Sequence, residues 1–163
     1  MSTNMFLKLK GIDGEAEDEK HGKWIEILSW GHSFEQPVTP YRPSTGATVE
    51  KCKHELITTA KYLDSASAAI LKAIWGGKLL DDAKIQCYRS DGNNVPILYL
   101  EIIMEDVIIS TYSISGGEGD IPQEELGLSY GTISYSYKPM NKLTGAAGSP
   151  LLAKHNLVKN VVS

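Results

Sequence analysis

Only one stretch of this chain, residues 61–78 (KYLDSASAAILKAIWGGK), carries a helical pattern. Asp64 or Ser65 supplies an N-cap, because a side-chain oxygen there accepts from the free amides of the first turn. Ser67, Ile70, Leu71, Ile74 and Trp75 follow at helical spacing and form one stripe. Gly76-Gly77 ends the helix, since glycine takes the left-handed C′ conformation without a Cβ clash. Everything around it reads as strand and turn. One short helix in a strand-rich chain of 163 residues points to a sandwich or closed barrel whose helix covers an open end or a seam.

The strand pattern begins at residues 5–10, where Met5, Leu7 and Leu9 alternate with Lys8 and Lys10. Residues 11–21 are acidic and contain glycine, and read as an exposed loop with Glu15, Glu17, Asp18 and Glu19 solvated. Residues 24–34 (WIEILSWGHSF) are β-prone with apolar groups on both faces, which suits a strand covered on both sides or one facing another subunit. Further strands are predicted over 49–59, 83–90 and 97–104, and from 107 to 115 after a bulge at Glu105-Asp106. Asp91-Gly92-Asn93-Asn94 is a hairpin-type turn. Residues 126–138 read as one last long strand, stopped by Pro139, and 151–162 dock back as a short terminal strand. There is no internal repeat and no domain boundary, so residues 1–163 read as a single domain.

Residues 35–48 (EQPVTPYRPSTGAT) break the pattern. Pro37, Pro40 and Pro43 remove backbone donors, so neither helix nor central strand suits the segment. A loop of about fourteen residues is long for a compact domain. It reads as an arm toward a neighbouring molecule. Its prolines lower the entropy lost on docking, and Tyr41 and Arg42 at its tip are interface-prone types.

Composition narrows the function. Net charge is −4 and the basic residues are scattered, so no stripe exists to neutralise phosphates and nucleic acid is excluded as a partner. No apolar run reaches the ~18 residues of a membrane span. The N-terminus has no charged start followed by an apolar stretch, so no signal peptide is expected. Cys52 and Cys87 are the only cysteines, which fits folding in a reducing cytosol. Catalytic motifs are lacking: no Gly-x-Ser-x-Gly, no His-Glu-x-x-His, no phosphate loop. Cys52-x-His54 with Cys87 or His32 lacks the paired spacing of a zinc site, so no metal or cofactor is expected. His21, His32 and His155 read as surface or interface groups. Glu101 with Glu105, and Glu124-Glu125, read as solvated sheet-face charges.

Taken in order, several motifs resemble the haemolysin-coregulated proteins, the inner-tube family of the type VI secretion system. They are Met5-Phe6-Leu7-Lys8, Gly11-Ile12-Asp13-Gly14-Glu15, Ile25-Glu26-Ile27-Leu28-Ser29-Trp30, Lys61-Tyr62-Leu63-Asp64-Ser65-Ala66-Ser67 and Glu105-Asp106-Val107-Ile108-Ile109-Ser110. The later Glu125-Leu-x-Leu-Ser-Tyr-Gly-x-Ile and Tyr137-Lys138-Pro139 complete the set. The chain departs from that pattern at Gly31-His32, where a second aromatic is common. It departs again at His155-Asn156, where the tail commonly has an aromatic-Asp pair.

The resemblance implies a mainly β fold: a β-barrel of two sheets, one short side helix and a long protruding loop. It implies no catalysis. It implies self-association into homohexameric rings that stack into a tube, inside a contractile sheath and behind a spike protein. Small effector proteins would ride in the lumen, the subunit being made in the cytoplasm and secreted. The position after Leu28 makes Ser29, Trp30, Gly31, His32 and Ser33 the expected lumen segment. The ring contact is expected between the 24–34 region, Trp24 included, and a neighbour's strands near Tyr99 and Glu101, with Pro37, Pro40, Tyr41, Arg42 and Pro43 contacting the next ring. Two alternatives stand beside this: a phage-type tail-tube protein, and a stand-alone carbohydrate-binding or hydrolytic β-barrel built around Glu101 and Glu105.

Overall fold

The computed structural model describes residues 4–38, 51–90, 95–141, 143–144 and 147–163. The strands are β1 (Asn4–Leu9), β2 (Ile25–Glu26), β3 (Ser29–Gly31), β4 (Phe34–Glu35), β5 (Lys53–His54) and β6 (Ile57–Tyr62). Helix α1 (Ser67–Gly76) follows, then β7 (Leu80–Ser90), β8 (Pro96–Ser115), β9 (Gln123–Ser129), β10 (Thr132–Tyr137), β11 (Leu151–Asn156) and β12 (Val161–Val162).

One ladder runs β12-β11-β10-β8-β7-β1-β2, and a second runs β8-β9-β6-β3. The two share β8. Its first part pairs with β7 and β10, and from Ile108 onward it pairs with β9. The layers meet again on the far side. Ile27 N–H donates to Met5 O at 3.1 Å in one layer, and the next amide, Leu28 N–H, donates to Ala60 O at 2.7 Å in the other. The expected two sheets and side helix are present, but the ladder stays open at β2 and β3 instead of closing into a barrel. Leu7, Leu9, Ile85, Ile102 and Met104 from one layer, and Ile57, Ile109, Leu126 and Leu128 from the other, form one core. Helix α1 packs on β8 and adds Ile70 and Ala73.

The switching between layers explains where the predicted strands break. Residues 24–34 are three short strands, because the chain crosses between layers at Ile27-Leu28. Residues 126–138 are two strands, because β9 pairs with β6 whereas β10 pairs with β8 and β11. Asp106 has φ 54°, and the buried positions on β8 pass from Ile102 and Met104 to Val107 and Ile109. The strand kinks there without the predicted bulge: the β7–β8 register holds through it, from Leu80↔Val107 to Asp82↔Glu105, and shifts only at Cys87/Tyr88. The predicted turn at 91–94 lies outside the described residues, as does the arm beyond Val38 up to Lys51.

The helix begins later than its sequence pattern implies. Asp64 Oδ1 accepts from Ala66 N–H at 2.9 Å, and Ser67 Oγ accepts from Asp64 N–H at 3.1 Å, a reciprocal pair that closes the turn before α1. Gly77, with φ 61°, ends it, its N–H and that of Lys78 returning to Ile74 O and Ala73 O. The buried face is Ser67, Ile70 and Ala73. Trp75, expected in that stripe, is 78 % exposed. The buried line runs through Ser67, Ile70 and Ala73, and Trp75, two residues past Ala73, falls on the opposite side of the helix.

Lys61 is fully buried. Its ammonium donates to Glu124 Oε1 (3.1 Å), Asp64 Oδ1 (3.0 Å) and Tyr62 O (3.0 Å), with Ser67 Oγ at 3.4 Å. Glu124, predicted to be solvated, is likewise fully buried and also accepts from the Ser67 hydroxyl. The cluster ties β6, β9 and the entry of α1 together. Gly127 permits a second close approach: a Cβ there would lie 2.1 Å from Thr111 Oγ1, opposite the register shift between Ile109 and Thr111.

Lys61→Met should lower stability by about 3–5 kcal/mol in urea denaturation, because Glu124 is left charged and buried. Adding Glu124→Leu should recover most of the loss. A single variant as stable as the parent would contradict the role of the pair. Gly127→Val should cost about 1–3 kcal/mol by forcing β8 and β9 apart.

Candidate functional site

The expected lumen segment is contiguous in the structure. Ser29, Trp30 and Gly31 form β3 and pair with Ala60, Thr59 and Thr58 of β6. Ser29 and Ser33 are exposed, while Trp30 is half-buried and packs against the core. Gly31, His32 and Ser33 line an open recess of 710 Å³ together with Glu55, Leu56 and Thr58. A Cβ on Gly31 would stand 3.3 Å from Thr58 Oγ1, so glycine here keeps β3 close to β6.

The expected ring residues divide. Pro37 is half-buried just after β4, and Pro40, Tyr41, Arg42 and Pro43 lie outside the described residues. Trp24 stands before β2, and Tyr99 and Glu101 stand on β8. Trp24 and Glu101 are linked within one chain. The Trp24 ring meets His21 edge-on at 4.8 Å, His21 Nε2 is 2.8 Å from Gln86 Oε1, and Gln86 Nε2 donates to Glu101 Oε2. Tyr99 carries the Arg89 guanidinium at 5.0 Å from its ring centre.

His21 itself is 3 % exposed, against the expectation of a surface group. Its ring stacks on Phe6 at 4.3 Å, and Nδ1–H donates to Asp18 Oδ2 at 2.6 Å. That hydrogen bond is the main reason the Asp18 carboxyl lies below its ordinary value. Because Gln86 spends its amide nitrogen on Glu101, its oxygen must face His21. His21 thus pins the loop over β1 and β7, while Glu15, Glu17, Asp18 and Glu19 stay exposed as expected.

The remaining histidines also meet. His155 Nε2–H donates to Asn160 Oδ1 at 3.1 Å. Neutral His155 then accepts at Nδ1 from His54 Nε2–H at 2.8 Å. His54 Nδ1 accepts from the Tyr130 hydroxyl at 2.7 Å, whose oxygen accepts from His32 Nε2–H at 2.6 Å. Finally His32 Nδ1 accepts from the Tyr135 hydroxyl. The bonds form one unbroken file with every imidazole neutral. Burial pushes His32 down to about 4; burial, then the neighbouring His155, also lowers His54. Burial pushes the Tyr135 phenol up to about 12. Beside the file runs a groove of 380 Å³ between Phe34, Tyr135, Ala153 and Val162. No group of three metal-ligating side chains is found among the described residues. Sequence reading left these groups apart because 101 residues separate His54 from His155. Only the β10–β11 register, with Ile133 opposite His155, brings them together.

Apolar side chains crowd the outer edges. Leu151, Leu152, Val161 and Val162 on the terminal hairpin are 53–76 % exposed, as is Trp75 to a similar degree on α1. No helix among the described residues is long and apolar enough to cross a membrane.

Comparison with known proteins agrees with this architecture. The family model for the type VI secretion system effector Hcp matches residues 6–137. Protein hcp1 of Pseudomonas aeruginosa is 26 % identical over 162 residues, covering 99 % of each chain. A type six secretion system protein of known structure superposes with TM-score 0.90 at 25 % identity, covering 99 % of this chain and all of the other. Hcp1 from Salmonella typhimurium superposes with TM-score 0.78 at 25 % identity, covering both chains completely. The chain therefore belongs to the Hcp family of type VI secretion system proteins.

Proposed function

We propose that this chain is the structural subunit of a secreted tube: six copies close into a ring, rings stack, and small effector proteins sit in the lumen. The observation that carries this reading is the match to the Hcp family over residues 6–137 in a fold whose sheet edges remain open and apolar. A ring needs a heterologous contact, one surface meeting a different surface on the next subunit. The free outer edges of β2 and β3 and the apolar β11–β12 hairpin offer two unlike surfaces of that kind. The Trp24 side of the first layer faces one neighbour and the region of Tyr99 and Glu101 the other. The arm from Pro37 through Pro43 bridges to the next ring, since β4 and β5 bring its two ends together. Ser29–Ser33 lines the lumen, where the recess beside Gly31 and His32 receives effector side chains. The subunit is made in the cytoplasm and leaves with the spike protein when the sheath contracts. Its work is geometric, with no bond made or broken. Of the two carboxylates a hydrolase would need, Glu101 is held by Gln86, and Glu105 stands exposed on β8.

Negative-stain microscopy of the purified chain should show rings, and light scattering should give six times the chain mass; solitary particles at every concentration would sink the reading. Deleting residues 38–46 should leave near-ultraviolet circular dichroism unchanged and abolish stacking, and normal tubes from that variant would remove the arm's role. Ser29→Arg together with Ser33→Arg should spare the ring while lowering effector recovery in co-purification at least about tenfold, the loss of roughly 1.4 kcal/mol of binding.

A further inference from the structure

The side-chain file from Tyr135 to Asn160 joins two weakly paired pieces of the molecule to the sheet. His32 follows β3, Tyr130 joins β9 to β10, His54 is on β5, His155 on β11, and Asn160 turns the terminal hairpin with φ 54°. The β4–β5 pair has only two registered residue pairs, Phe34↔His54 and Glu35↔Lys53. The β11–β12 pair likewise has two, whereas β11 itself is held to β10 by six. We propose that the His32–Tyr130–His54–His155 file is a pH-operated latch: neutral, it pins the β4–β5 pair and the Asn160–β12 end of the terminal hairpin to the sheet, and on protonation it releases them.

One added proton reverses part of the file, and every nitrogen still finds a partner. A second places N–H against N–H across the 2.8 Å gap between His54 and His155, or leaves the Tyr130 hydroxyl without an acceptor. The rings stand close enough to repel when charged, His54 4.9 Å from His155 and 6.3 Å from His32. Lys154 of β11 lines the groove with His54 and His155 and opposes charge there, while a backbone hydrogen bond to Glu55 favours charge on His32. Cys52, ahead of β5, and Tyr135, on β10, face the file as neutral groups. Burial outweighs that hydrogen bond, since it holds His32 below its ordinary value. Released segments therefore take up protons more readily than latched ones. The latch is complete above about pH 6.5 and weakens as the pH falls toward about 4.

Hydrogen–deuterium exchange of the full chain at about pH 7.5 and about pH 5, corrected for intrinsic rates, reads this directly. Peptides spanning residues 52–56 and 157–163 should lose protection about tenfold at the lower pH while β7, β8 and β10 keep theirs. His54→Gln with His155→Gln retains donors and acceptors but cannot take the proton, and should abolish the pH dependence. NMR titration of the unaltered protein should show linked midpoints for His32 and His54 below the ordinary histidine value, whether or not that variant folds. Equal protection at both pH values would overturn the latch, as would uniform loss over the whole chain. The same holds for a pH response retained in the variant, or for three imidazoles titrating independently near pH 6.5.

Discussion

The whole molecule is hinged on one twenty-residue strand, Pro96–Ser115, that belongs to both layers. A strand can serve two ladders only if it presents different edges and faces along its length. Asp106 meets that demand with a left-handed residue, swapping the buried face from Ile102 and Met104 to Val107 and Ile109. Gly127 meets it on the partner strand, where any side chain would collide with Thr111. The chain crosses back at Ile27-Leu28, and the core is enclosed without a closed ladder. The edges that stay open are what a self-assembling subunit requires.

Polar groups inside this frame do work that apolar packing cannot. Lys61 and Glu124 fix how β6, β9 and α1 enter the core, because a buried charge accepts only the geometry that satisfies it. His21 fastens the acidic loop across β1 and β7 by presenting its ring to Phe6 and its nitrogens to Asp18 and Gln86. The histidine file at the other sheet end differs in kind. It reaches the β4–β5 and β11–β12 pairs, each with only two registered residue pairs, so its hydrogen-bond count matters more to their position. The two departures from the family pattern, Gly31-His32 and His155-Asn156, meet in that file through Tyr130 and His54.

Strand-rich character, the lone helix and its Gly77 stop and the β1 alternation were legible in the sequence, because each is set by neighbours a few residues away. The motif order also identified the family. Local pattern misplaced what depends on partners. Residues 24–34 and 126–138 look like single strands, since nothing local marks a change of layer. Trp75 looks like core, since helical spacing alone does not say which edge of an apolar stripe meets the sheet. Glu124 and His21 look solvated, since burial of a polar group depends on Lys61 and Gln86, brought in from distant strands.

What the chain determines by itself is therefore its class: alternation, turns and motif order specify a mainly β Hcp-family subunit. Which polar groups are buried, which edges stay open and which histidines touch was decided only by tertiary pairing. Contacts such as His54 with His155 arise from strand register across 101 residues, and a charge or imidazole acquires its chemistry from the partners that register delivers.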